Sequence, residues 1–203
     1  MRRSSERRVR RALLVTAAAL LAVLPAACGS DTATGGQAAT ATPGVAASMV
    51  KPPVLRPGQA VPTPAGDPVL RLTGKIGKPN DAGSLVLDAA TLDRLGVSKV
   101  RLFEPWLKQE MEFQGVWLAD LLEVAGVDGA ATTVHVTALD DYQVDLTMAD
   151  VRAGGIFLAT KDGLGKAIPV DDGGPTRIVF VGGVASGKSD DQWIWSLKTL
   201  DIR

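Results

Sequence analysis

The feature that most limits how this chain can fold is where its aromatic residues lie. All four Trp, all four Phe and the single Tyr fall between Phe103 and Trp195. Seven of the twelve Pro fall instead in residues 29–68, a stretch with no aromatic side chain. A segment of that composition buries too little apolar surface to offset the entropy of ordering it. The sequence therefore predicts a disordered tether over residues 28–68 and one folded domain over residues 69–203. Forty residues of flexible chain span about 35 Å, and a domain of that length is an ordinary size for a single core.

The first 27 residues carry six Arg and one Glu, followed by a nearly uncharged run of Ala, Leu and Val from Ala12 to Ala27. That run is shorter than the roughly 20 residues a spanning helix needs. A basic start, a short apolar middle and small residues at the end predict an export signal over residues 1–27. Its close, Leu24-Pro25-Ala26-Ala27-Cys28-Gly29, resembles a bacterial lipobox. A Cys behind two small residues suits cleavage and takes lipid on its sulfur, so Cys28 is the expected lipidation site. Several acyl chains would hold the mature protein at the outer face of the cell membrane. Cys28 is also the only Cys. The domain thus has no disulfide, no thiolate metal site and no Cys nucleophile. The whole chain balances 22 basic against 22 acidic residues, so loss of the Arg-rich start leaves it acidic. That excludes the basic footprint of a nucleic-acid binder.

Within residues 69–203 the pattern mixes strands with short helices. VLRLTGKIG (69–77), KVRLF (99–103), TTVHVTAL (132–139), QVDL, GIFLAT, IPV, RIVFV and WIWSLKTLDI read as strands. Asp88 is placed to cap a helix that Gly96 ends, and Thr147 to cap another with Asp150 three residues on. Leu118, Leu121, Leu122 and Ala125 fall at i, i+3, i+4 and i+7, one buried helix face. This predicts an α+β fold with mixed β-sheets and short helices.

RIVFVGGVASGKS (177–189) matches the phosphate-loop pattern G-x-x-x-x-G-K-[ST] at Gly182, Gly187, Lys188 and Ser189. A working loop needs a helix behind it to hold the phosphates. The residues that follow, DDQWIWSLKTLDIR, alternate like a strand, so no nucleotide is expected.

Four segments in order carry a resemblance to the molybdopterin-binding domain of the sulfite oxidase family. FQGVWLADLLEVAGV (113–127) is similar to its aromatic-x-G-V-x-L-x-D-L-L-x-x-A-G segment. ALDDYQVDLTMADV (138–151) is similar to its Asp-x-Tyr segment, and GKAIPVDDGGPTRIVFV (165–181) to its G-x-P stretch with a following G-P-x-R. Trp193, Trp195, Leu197 and Lys198 match its W-x-W-x-L-K ending. The resemblance implies that family's fold, with molybdopterin as the cofactor it would carry. It also implies a metal-binding Cys just ahead of the Gly-Val-x-Leu helix, in a segment like R-C-V-E-x-W. Here the matching residues are Arg101-Leu102-Phe103-Glu104-Pro105-Trp106, with Leu102 in the place of the Cys. An alkyl group has no lone pair to replace a soft thiolate ligand.

The expected ligand pocket is therefore one lined by Arg101, Glu104, Trp106 and Tyr142, with no catalytic residue and no metal ligand assigned. His135, the only His, reads as a packed or surface strand residue. Asp140-Asp141, Asp171-Asp172 and Asp190-Asp191 read as turn residues, and Trp193 and Trp195 as core. The function expected is that of an exported lipoprotein with a non-catalytic binding or accessory module, set against an oxidoreductase that holds its pterin atypically and against a small-solute or protein-binding lipoprotein.

Overall fold

The structure, a computed structural model, describes residues 47–182 and 189–203. Among the described residues ten strands form two five-stranded sheets. The first sheet is antiparallel throughout and runs β1 (Ala47–Lys51), β4 (Val97–Glu104), β5 (Gln109–Trp117), β8 (Ile156–Asp162), β9 (Arg177–Phe180). The second runs β3 (Leu85–Asp88), β2 (Pro68–Gly74), β10 (Leu197–Ile202), β6 (Thr133–Ala138), β7 (Gln143–Thr147). It is mixed, because β10 pairs parallel to β2 and antiparallel to β6. One contiguous apolar core runs through both sheets, from Leu70 and Leu72 on β2 to Phe157 on β8 and Phe180 on β9.

Three short helices connect the strands. In α1 (Ala89–Asp93), the Asp88 carboxylate accepts from Thr91 N at 2.7 Å. In α3 (Met148–Ala153), the Thr147 hydroxyl accepts from Asp150 N at 3.0 Å. Both are the caps expected from sequence. In α2 (Leu118–Val124) the stripe of Leu118, Leu121, Leu122 and Ala125 is buried, as its spacing predicts. No helix among the described residues is long and apolar enough to cross a membrane.

Residues 47–68 depart from the tether expected there. The strand β1 pairs with β4 through Ala47↔Val100 and Lys51↔Val97. Leu55 and Val61 are buried, and Arg94 O accepts from both Val54 N and Leu55 N. Asp88 also accepts from Ala65 N and Gly66 N. Composition measures what side chains can bury, but this segment is held largely by its backbone, and a sheet edge accepts such a strand with little regard to side chains. Gly96 helps: its φ is +95°, and a Cβ there would lie 3.1 Å from Pro53 N. Residues 28–46 lie outside the described residues, as do the export signal and Cys28.

Other differences are local. The strand β5 was not expected, though Met111, Phe113 and Gly115 alternate with Glu110, Glu112 and Gln114. The IPV stretch is no strand. Pro169 cannot donate to a ladder, and a single 3₁₀ turn, Val170–Asp172, follows it. WIWS does not extend β10 either, because Ser196 takes a φ of +51° and breaks the alternation.

Candidate functional site

Along β4 the side chains alternate between faces. Val100, Leu102 and Glu104 point into the protein, while Arg101 and Phe103 point out. Glu104 is 0% exposed, a carboxylate at the end of a buried strand face. Its Oε1 accepts from Arg177 Nη2 at 2.7 Å, and its Oε2 accepts from Leu107 N at 2.6 Å. Arg177, the first residue of β9, is 2% exposed. Its guanidinium packs over two rings, 4.5 Å from the Trp195 centroid and 5.1 Å from that of Phe113. Burial pushes the Arg177 pKa down from its ordinary value, and the Glu104 charge and hydrogen bond oppose that shift.

Four chain segments thus meet at one buried ion pair: β4, β5, β9 and the Trp193–Ser196 stretch. Gly173 makes room for the last, since a Cβ there would lie 2.9 Å from the Trp195 indole. Two buried donors in this cluster, Arg177 Nε and Trp195 Nε1, have no hydrogen-bond partner among the described residues. Unpaired buried donors of this kind cost stability in a bare fold and are the groups an incoming acceptor would satisfy.

The structure does not bring the four expected pocket residues together. Arg101 and Glu104 lie three apart on one strand, so they fall on opposite faces; Arg101 is exposed and pairs with Glu110 at 3.2 Å. Trp106 sits in the exposed turn between β4 and β5. Tyr142 is exposed in the turn between β6 and β7, and its hydroxyl donates to Asp191 O at 2.7 Å. Glu104 alone reaches the interior. The residues that complete its cluster are Arg177, Phe113 and Trp195. A charge heading the otherwise apolar RIVFV strand was the available signal for Arg177.

The other candidates resolve simply. His135 on β6 sits opposite Asp145 on β7, with Nδ1 2.6 Å from its carboxylate. Trp193 is buried against Phe180, while Trp195 is half-buried over Arg177. Among the described residues no group of three or more His, Cys, Asp or Glu is arranged to hold a metal ion. The phosphate-loop match lies mostly outside the described residues; the part that follows holds a 3₁₀ turn, Asp190–Gln192, and then β10. Two shallow clefts open elsewhere. One, about 320 Å³, borders Ser48, Lys99, Arg101 and Glu112; the other, about 270 Å³, lies between α2 and α3.

The antiparallel sheet that carries Glu104, Phe113 and Arg177, together with the mixed sheet, defines the class: the fold is that of a molybdopterin-binding oxidoreductase domain. The chain belongs to the oxidoreductase molybdopterin binding domain family, whose model matches residues 90–202. Among solved structures it is similar to the sulfane dehydrogenase SoxCD from Paracoccus pantotrophus. The TM-score is 0.51 at 21% identity, over 66% of this chain and 37% of that one. The chain therefore spans little more than a third of that neighbour's length, and the likeness is one of fold. No curated protein matches the chain at a significant level.

The donor set does not fit the metal of the family's cofactor. Leu102 is 6% exposed on the inward face of β4, two residues before Glu104 on the same face. It offers no lone pair where the family resemblance places a thiolate, and residues 47–203 contain no Cys.

Proposed function

We propose that the chain is an exported, lipid-anchored protein whose molybdopterin-binding-family domain serves as a non-catalytic binding or accessory module at the outer face of the membrane. The observation that carries this reading is Leu102. A buried alkyl side chain takes the metal ligand's place and belongs to the core. Glu104 and Arg177 beside it are engaged with each other at 2.7 Å. A second reading, retention of a pterin without its metal, draws support from the two buried donors without partners, Arg177 Nε and Trp195 Nε1. The export signal and the lipobox at Cys28 support the location.

The test uses the full chain made in a host that synthesises molybdenum cofactor. Metal is measured by mass spectrometry and released pterin by fluorescence on the same sample. Neither should reach stoichiometric amounts. Both at one per chain would overturn the non-catalytic reading, and pterin without metal would favour the second. Mass spectrometry of the N-terminal peptide should find the lipid on Cys28, and Cys28→Ser should release the protein from the membrane fraction.

A further inference from the structure

The end of β4 and the turn that joins it to β5 carry three large apolar side chains in the open. Phe103 is 55% exposed, Trp106 57% and Leu107 48%. Lys108 beside them is exposed too. The turn is tied down, because Leu107 N is bound to the buried Glu104 carboxylate. Trp106 and Leu107 are thus displayed from a fixed point. Aromatic rings and aliphatic side chains next to a Lys are the mixture that settles at a membrane–water interface.

The tip lies close to where the chain enters the first sheet. The strand β1 runs antiparallel to β4, with Lys51 opposite Val97 and Ala47 opposite Val100. Ala47, where β1 begins, is therefore its end nearer the turn. From Val100 to Glu104 is four residues, about 13 Å of strand. Between Cys28 and Ala47 lie 18 residues, enough chain to cover that distance several times over when extended. A lipid on Cys28 would thus hold the bilayer within reach of the Phe103–Trp106–Leu107 tip.

We infer that this tip is a membrane-contact element: Phe103, Trp106 and Leu107 enter the interfacial layer of the bilayer that Cys28 anchors, and Lys108 faces its anionic headgroups. The inference rests on the lipid-anchor reading above and adds to it a second, weaker attachment. Short tethering makes weak contact effective, because the second attachment becomes intramolecular.

The experiment uses the full lipidated chain in vesicles of phosphatidylethanolamine and phosphatidylglycerol that carry acyl-brominated lipid. Flotation reads the anchor, and quenching of Trp emission by bromine reads the tip. The wild-type protein should float and be quenched. Trp106→Phe should float and lose most of the quenching, which assigns the signal to Trp106. The double variant Phe103→Glu with Leu107→Glu keeps Trp106 and should float with much weaker quenching. Flotation without Trp106-dependent quenching overturns the inference, leaves the anchor standing and turns the patch over to a protein partner or a second copy. Failure to float overturns the anchor and the inference with it.

Discussion

Removing the Glu104 carboxylate tests whether the buried ion pair holds this domain together. In Glu104→Ala the Arg177 guanidinium, 2% exposed, loses the carboxylate 2.7 Å away. Leu107 N loses its acceptor as well. Breaking a buried pair by deleting one partner costs about 3–5 kcal/mol, since the remaining charge stays desolvated. The contacts with the Phe113 and Trp195 rings offset part of this, about 1–2 kcal/mol. The expected net loss is therefore about 1–4 kcal/mol, against a total of about 5–15 for an ordinary domain. Urea unfolding followed by Trp fluorescence measures it. The double variant Glu104→Met with Arg177→Met should lose less than the sum of the two single changes, with a coupling of at least about 1 kcal/mol. A loss below about 1 kcal/mol for Glu104→Ala, or additive single changes, would refute the reasoning and free Glu104 for a ligand-binding role.

Three further outcomes are expected. The Asp88 carboxyl is held down at about 2 by the Thr91 hydroxyl and by the Gly66 amide, below its ordinary 3.8. A depressed pKa contributes stability that is full above pH 3.8 and is lost as pH falls through 2. The stability gap between wild type and Asp88→Asn, at most about 2 kcal/mol, should then close across that window, and a gap independent of pH would contradict it. Gly115→Ala should destabilise by about 3 kcal/mol or more, as seen in urea melts, because its Cβ would fall 2.0 Å from Leu158 O between β5 and β8. A chain starting at residue 47 should unfold at higher urea than one starting at residue 69, which lacks β1 and the buried Leu55 and Val61; equal midpoints would mean that residues 47–68 add nothing to the fold.

Some of this protein could be read from its letters because the physics is local or periodic. Asp88 and Thr147 cap their helices from positions next to them, and α2 displays its apolar stripe wherever it packs. The alternation of β4 already separates Arg101 from Glu104, and the count of Cys alone rules out a thiolate in residues 47–203. The strand β5 was legible too, in an alternation partly hidden by its Glu residues. The order of residues 47–68 is hidden from composition, which reports on side chains, whereas β1 is held by backbone amides that pair with whatever edge they meet. The Trp193–Ser196 stretch looked like strand until Ser196 turned it.

What the sequence by itself determined is the helix caps, the buried faces, the family resemblance and the missing metal ligand. Each depends on residues a few positions apart or on the chemistry of a single side chain. Only the tertiary structure decided that Arg177 meets Glu104 across 73 residues, that β10 lies between β2 and β6, and that Tyr142 and Trp106 stand apart from the buried cluster. Those outcomes depend on which strands pair. Strand pairing is set by the closing of long loops around a shared core, and no short stretch of sequence encodes it alone.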